Sequence, residues 1–217
     1  MPKWFKLILG IALLPLCVGA TQALIRVAQT AEDATVVWVP MLAGAACWVI
    51  IFAMLPKPMW IYVLGHESTH ALWTWLSGGR VKRMKVSSRG GHVAVTKTNF
   101  VITLAPYFFP LYAALVFVVF AAGDVAWGWR RFAVWFHLLI GATYAIHVTL
   151  TWHVLKTRQS DLTSEGYLFS FAIIWLGNAV VLLFGLPLLT TRVSVFTALS
   201  WWLESSGRVV ARLAHWI

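Results

Sequence analysis

The chain has 217 residues, of which 60% are hydrophobic and only 11% are charged, and its mean hydropathy is +0.79. Soluble domains are nearer one half apolar and one quarter charged, so this composition excludes an ordinary soluble domain and a disordered chain. Seventeen Lys and Arg residues oppose seven Asp and Glu residues. Because the basic residues lie between apolar blocks, lipid headgroups explain them better than nucleic acid does. We therefore expect the lipid bilayer as a partner, and no nucleic acid.

Six apolar blocks are long enough to cross a bilayer, which takes roughly 20 residues. They are residues 4–24, 35–55, 59–77, 100–122, 132–155 and 167–189. In hydrocarbon only helices and closed barrels satisfy the backbone, and these blocks are too long and too uniformly apolar for barrel strands. The sequence therefore predicts an all-α polytopic membrane protein with about six transmembrane helices in a single integral membrane domain, residues 1–217. The first block also fits a signal peptide, but we expect an uncleaved span.

Two segments interrupt this pattern. Residues 80–97 contain Val-rich runs on both sides of a Ser-Arg-Gly-Gly sequence, which predicts a short β-hairpin after the third block. Residues 192–217 carry apolar residues near helical spacing with Arg208 and Arg212 among them, which predicts an interfacial amphipathic helix. A short seventh span is the alternative for this last segment.

The distribution of positive charge indicates the orientation in the membrane. With six crossings, one side carries eight Lys and Arg residues and the other side carries nine, including the dense cluster on the hairpin. The positive-inside rule then favours the hairpin side as the cytoplasmic side. We expect a multi-pass protein of a bacterial cytoplasmic membrane whose active site faces the cytoplasm.

The third block contains the sequence His66-Glu67-Ser68-Thr69-His70, which is an H-E-x-x-H pattern. Residues four apart on a helix lie on one face with their Cβ atoms about 5–6 Å apart, so the two imidazoles can share one zinc ion. Glu67 can reach a water beside the metal and act as a general base. The alternative is a His-Glu-His cluster that joins helices by hydrogen bonds.

A catalytic zinc site usually has three protein ligands, so a third is required. The acidic residues outside the motif are Glu32, Asp33, Asp124, Asp161, Glu165 and Glu204. The two histidines lie about 10–16 Å from the hairpin-side end of their helix. Glu32 and Asp33 lie in the first loop, Asp124 lies on the side opposite the hairpin and Glu204 lies in the C-terminal segment. This leaves Asp161 and Glu165, just past the fifth block, which ends on the hairpin side. We expect Asp161 to be the third ligand; the alternative is a solvated carboxylate beside Lys156 and Arg158.

These motifs together resemble the site-2 protease family of intramembrane zinc metalloproteases. The matching features are the H-E-x-x-H block, Gly78-Gly79 before the hairpin, the sequence LAPYFFP at 104–110 and the sequence RQSDL at 158–162. The resemblance covers about residues 59–189 and implies a protease core with one Zn²⁺ per chain. It implies His66, His70 and Asp161 as zinc ligands and Glu67 as the catalytic acid and base. The Asp-Gly of the family is Asp161-Leu162 here, and we expect no peptide-binding or nucleotide-sensing accessory domain.

The expected function is hydrolysis of peptide bonds in membrane-embedded or membrane-proximal substrates, with a transmembrane protein as the substrate. The hairpin either holds the substrate by β-strand addition or covers the active site. Asn99 and Asn178 are candidate substrate-binding residues. The alternatives are a non-catalytic metal- or client-binding membrane protein and a small ion- or proton-coupled transporter. Glu67 favours hydrolysis, since metal binding alone does not require this acid.

The five remaining histidines are expected to be packing residues or surface residues instead of metal ligands. They are His92, His137, His147, His153 and His215.

Overall fold

The computed structural model describes residues 2–87 and 90–215, most of which are helical. In chain order the elements are α1 (Lys3–Thr30), α2 (Thr35–Met54), α3 (Met59–Leu76), β1 (Val81–Ser87), β2 (Gly90–Val95), α4 (Phe100–Phe108), α5 (Leu111–Trp127), α6 (Ala133–Leu155), α7 (Ser160–Glu165), α8 (Tyr167–Thr190) and α9 (Val195–Ala214). A short 3₁₀ turn, Trp129–Phe132, precedes α6. The expectation of an all-α protein with a small hairpin after the third block is confirmed.

Four helical segments of the described residues are long and apolar enough to cross a membrane. They are α1, α2, α6 with its preceding 3₁₀ turn, and α8. Helices α4 and α5 pass the same test only as a pair bent by 77°, which makes five candidate spans if the pair is one span. α3 is not among them, because His66, Glu67 and His70 lower its hydropathy. A membrane protein with four to five candidate spans is therefore supported, and the count of six stays a prediction.

The fourth apolar block was expected to be one helix, and this expectation is wrong. The helix ends at Phe108, and Phe109 adopts an extended conformation (φ −98°, ψ 109°) before α5 begins at Leu111. The physical reason is Pro110, because the proline ring disfavours the helical conformation of the residue before it. The apolar run is continuous in composition, but its helical conformation is interrupted between Phe108 and Leu111.

The hairpin is an antiparallel pair of strands in which Val86 lies opposite Gly91. An irregularity between Val81 and Arg83 shifts the register near its base. Ser88 and Arg89, which belong to the expected turn, lie outside the described residues.

The chain divides into two compact units. The terminal unit consists of Met1–Ala34 and Ser160–Ile217, and the central unit consists of Thr35–Gln159. The single integral membrane domain expected from the sequence stays a prediction.

In the terminal unit, α1 packs against α8 and α9. Apolar residues form the core of this packing: Ala23, Val27, Leu183 and Ala198 are buried together. The indole Nε1 of Trp202 on α9 donates to the carbonyl oxygen of Leu16 on α1 at 2.9 Å. This side of α9 is therefore tied to α1.

The polar side of α9 carries Glu204, which lies between two arginines. Arg26 donates to its carboxylate at 3.1 Å, and Arg208 forms a second ion pair one turn along α9. The hydrogen bond from Arg26 and the positive charge of Arg208 hold the pKa of the Glu204 carboxyl below its ordinary value. α9 separates its polar and apolar residues as an amphipathic helix does; its place at the membrane interface stays a prediction, and Trp216 and Ile217 lie outside the described residues.

In the central unit, α6 packs against both α2 and α5. The indole Nε1 of Trp48 on α2 donates to Thr149 on α6 at 2.8 Å, and the rings of Phe120 and Phe136 stack with centroids 4.1 Å apart. α3 contacts α4, α5, α6 and both hairpin strands. The H-E-x-x-H helix therefore packs against three other helices and the hairpin.

Candidate metal centre

The two motif histidines meet on one face of α3. Their Nε2 atoms are 3.2 Å apart, and the two rings lie edge to face with centroids 4.8 Å apart. Two nitrogen ligands that bind a tetrahedral zinc ion at 2.0–2.1 Å lie about 3.3–3.4 Å from each other. The observed distance therefore fits two adjacent ligand positions of a single zinc site.

The ring of His70 is oriented by the backbone of α4. Its Nδ1 lies 2.8 Å from the carbonyl oxygen of Ile102. Because a carbonyl can only accept, Nδ1 must carry the proton, which leaves the lone pair on Nε2. Metal-binding histidines typically have such a partner behind the ring.

This carbonyl is open to His70 because of a proline. In a regular helix the Ile102 carbonyl would accept from the N–H of the residue four positions later. That residue is Pro106, which lies inside α4 and has no N–H. The chain therefore provides an acceptor without its usual partner one helix away from the motif.

The ring of His66 is held from two sides. Its Nδ1 lies 3.1 Å from the Tyr62 hydroxyl, one turn earlier on α3. The Tyr107 ring from α4 contacts it edge to face at 5.3 Å between centroids, and Tyr107 itself is almost fully buried. When the Tyr62 oxygen accepts from Nδ1, the Nε2 lone pair of His66 faces that of His70.

The Glu67 side chain lies under the hairpin. It is only 8% exposed. A Cβ atom placed on Gly91 of β2 would lie 2.6 Å from Glu67 Cγ and 2.8 Å from its Oε1. Only a glycine therefore lets the strand lie this close to the carboxylate. Gly91 was expected only as part of the turn, so its contact with Glu67 was missed.

Asp161, the expected third ligand, belongs to the terminal unit, whereas the H-E-x-x-H residues belong to the central unit. It lies in the first turn of α7 and is half-buried. Glu165, the other acidic residue after the fifth block, pairs with Lys6 at 2.5 Å. Imidazole nitrogens and a carboxylate oxygen are ligand types that bind zinc, and Asp161 as the third ligand stays a prediction.

The two candidate asparagines both have local partners. The Asn99 side chain accepts from the N–H of Ile102 at 2.9 Å and so caps the start of α4. The Asn178 amide donates to the carbonyl oxygen of Ile174 at 2.9 Å within α8. A role for either residue in substrate binding stays a prediction.

The histidines of α6 have other surroundings. The ring of His153 lies edge to face with Phe52, and the Nδ1 of His137 is buried without a hydrogen-bond partner in the described part of the chain. His147 lines a small cavity beside His66. Among the described residues, none of these three belongs to a group of donors that can hold a metal ion.

Comparison with known proteins gives no match: neither a protein-family model, nor a curated protein, nor a solved structure resembles this chain closely enough. The functional argument therefore depends on the geometry of these residues.

Proposed function

We propose that this protein is an integral membrane zinc metalloprotease that hydrolyses peptide bonds of transmembrane substrates within or near the bilayer, as the site-2 protease family does. One observation carries the proposal. The Nε2 atoms of His66 and His70 face each other at 3.2 Å, and each ring is oriented through its other nitrogen by a hydrogen-bond partner. Metal-binding histidines are typically oriented by such a partner behind the ring.

The proposed ligands are His66, His70 and Asp161, with one zinc ion per chain. Asp161 is the proposed third ligand, as the resemblance to the site-2 protease family implies, and Glu165 forms an ion pair with Lys6. When bound, zinc supplies a Lewis acid that activates water and polarises the carbonyl of the substrate.

Glu67 is the proposed acid and base. Its carboxylate takes a proton from the attacking water and later delivers it to the nitrogen of the leaving amine. The contact with Gly91 restricts the conformations that this side chain can adopt. A carboxylate that is held in one place loses less conformational entropy when it enters the reaction.

The hairpin is the proposed substrate-contacting element. Because β2 lies on Glu67, a substrate segment that adds to this two-stranded sheet would run close to the catalytic carboxylate. An unwound segment exposes its peptide groups, and backbone pairing would satisfy them. Asn99 and Asn178 are proposed as further partners of the substrate backbone.

The six membrane crossings and the cytoplasmic orientation of the hairpin are part of the same proposal, together with a bacterial cytoplasmic membrane. The orientation depends on the basic cluster of the hairpin. It is tested by cysteine labelling in sealed vesicles, after Cys17 and Cys47 have been replaced by serine. A Lys85→Cys variant should react only with a reagent on the cytoplasmic side, and labelling only from the other side would reject the orientation.

A second candidate is a non-catalytic protein in which Tyr62, His66, His70 and Ile102 form a hydrogen-bonded chain. The distance of 3.2 Å between the two Nε2 atoms also suits a hydrogen bond between imidazoles. Elemental analysis of purified protein separates the two candidates, because only the protease requires about one zinc per chain. Cleavage of a co-expressed single-span protein with Gly and Pro in its helix then separates a protease from a protein that merely binds metal or a client.

A further inference from the structure

A small cavity lies beside His66, between α3, α5 and α6 of the central unit. Its volume is about 30 Å³. A single buried water molecule needs about 10–15 Å³ of such volume, so the cavity has room for about two non-hydrogen atoms. It is too small for a branched aliphatic or aromatic side chain.

One residue that lines this cavity, Thr151, has a hydroxyl group without a hydrogen-bond partner in the described part of the chain. Thr151 is only 7% exposed, so this hydroxyl is buried. Thr143 and Thr149 on the same helix each donate at 2.7 Å to the carbonyl one turn earlier. Thr151 does not form this hydrogen bond. Leaving a buried hydroxyl unpaired costs free energy, so a group bound in the cavity should form a hydrogen bond with it.

A second residue that lines the cavity, Tyr112 on α5, has a hydroxyl that can accept a hydrogen bond. The Tyr112 hydroxyl donates to the carbonyl oxygen of Ile61 at 2.6 Å, so its proton is used while its oxygen lone pairs remain. The cavity thus combines a very small volume with hydroxyl groups from two different helices.

We propose that this cavity is the specificity pocket for a small, hydroxyl-bearing side chain, serine above all, next to the bond that is cleaved. The proposal depends on the proposed function, because His66 both lines the cavity and is a proposed zinc ligand. A serine hydroxymethyl group has two non-hydrogen atoms and can hydrogen-bond with Thr151 and Tyr112. Alanine fits the volume but leaves Thr151 unpaired, and leucine does not fit.

The test uses N-acetyl amino-acid hydroxamates of serine, alanine and leucine as probes of the zinc-loaded protein. The hydroxamate group binds zinc and presents its side chain to the neighbouring pocket, so no natural substrate is needed. We expect the serine probe to bind about 3- to 10-fold more tightly than the alanine probe, which is the effect of one hydrogen bond. The leucine probe should bind at least about 10-fold more weakly than alanine, because overpacking is penalised.

Two variants and a matched control assign these differences to the cavity. Thr151→Val keeps the shape but removes the hydroxyl, so it should abolish the preference for serine over alanine. Thr143→Val changes the same residue type on the same helix and should leave the preference intact. Ile146→Ala, also in the cavity wall, should admit the leucine probe. Zinc content is measured for every variant, so a misfolded protein is recognised.

The outcomes separate this inference from the proposed function. If the hydroxamates bind but the side chain and Thr151→Val make no difference, the cavity holds only water and the inference fails while the zinc site stands. If the parent protein binds neither zinc nor any hydroxamate, the proposed function fails and the pocket assignment fails with it.

Discussion

Helices α3 and α6 belong to the same unit, and both are apolar helices that carry histidines. α3 has two, His66 and His70, while α6 has three, His137, His147 and His153. A spacing of four residues places the α3 pair on one face. The spacings of ten and six on α6 separate successive histidines by about 15 Å and 9 Å along the helix axis and by about 80° and 120° around it, so no two of them share a metal site. The comparison teaches that spacing, not number, brings histidines together.

The two helices differ also in what lies behind each ring. The α3 rings have oxygen partners on their Nδ1 atoms, Tyr62 and the Ile102 carbonyl, which leave both Nε2 atoms facing each other. His153 faces the Phe52 ring instead, and the Nδ1 of His137 has no partner in the described ranges. Oriented rings are what a metal ligand requires, so changes to α3 should affect the metal and changes to α6 should not.

The largest effect is expected from removing both α3 imidazoles. His66→Ala combined with His70→Ala should reduce the zinc content from about one per chain to background, because two of three ligands are lost. The matched control is His137→Ala combined with His153→Ala, which removes two imidazoles from α6 and should retain the zinc. Elemental analysis of both purified proteins measures their zinc content. Equal loss of zinc from both would contradict the prediction that only the α3 histidines bind the metal.

The next effect separates chemistry from metal binding within α3. Glu67→Gln should retain zinc but slow cleavage of the single-span substrate by about 10²- to 10⁴-fold, because the amide cannot accept the proton of water. Asp161→Ala should differ by losing zinc affinity and cleavage together. Both are compared by zinc content and by the rate of appearance of the cleaved fragment. Undiminished cleavage by Glu67→Gln would reject the protease and leave the metal-binding alternative.

A smaller effect is expected at Pro106, which is not one of the proposed zinc ligands. Pro106→Ala restores an N–H that competes for the Ile102 carbonyl, so His70 loses its fixed orientation. Loss of such a supporting partner typically lowers metal affinity about 10- to 100-fold. Zinc affinity is measured by competition with a chelator, and ¹⁵N NMR of the imidazoles reports which nitrogen of His70 carries the proton.

The control for Pro106 is another proline inside a helix of the same unit. Pro40 lies within α2, which packs against α6, so Pro40→Ala should leave zinc affinity and the His70 tautomer unchanged. An unaltered tautomer and affinity in Pro106→Ala would mean that the free carbonyl is not what orients His70.

The features that depend on local spacing could be predicted from the sequence. The H-E-x-x-H pattern, the hairpin and the order of apolar blocks are encoded within short windows. The bend at Phe109 was missed because the apolar run continues through it without a change in composition. Pro110 could have indicated the bend, since a proline disfavours a helical conformation of the residue before it. The acceptor for His70 could also have been found, since Pro106 stands four residues after Ile102. The close approach of Gly91 to Glu67 could not have been predicted, because it depends on how strand β2 packs on α3.

The smallest effect is expected at Gly91, where the hairpin covers α3. Gly91→Ala adds a methyl group 2.6 Å from Glu67 Cγ and from Val63 Cγ1, so the strand or the carboxylate must shift. Overpacking costs about 1–3 kcal/mol. If a shift of the strand relieves part of that cost, cleavage should slow by about tenfold. Zinc content should not change, since the clash involves Glu67 and not the imidazoles.

The control for Gly91 is Gly185 on α8, where a Cβ atom would meet nothing within 4 Å. Gly185→Ala should therefore leave cleavage at the parental rate. Gly91 has no positive φ, unlike its neighbour Gly90 at φ +141°, so alanine is tolerated by the backbone and only the contact is tested. A Gly91→Ala protein that cleaves at the parental rate would show that the hairpin does not position Glu67. Loss of zinc in that variant would instead show that the strand supports the histidines, and the separate role of the hairpin at the carboxylate would be rejected.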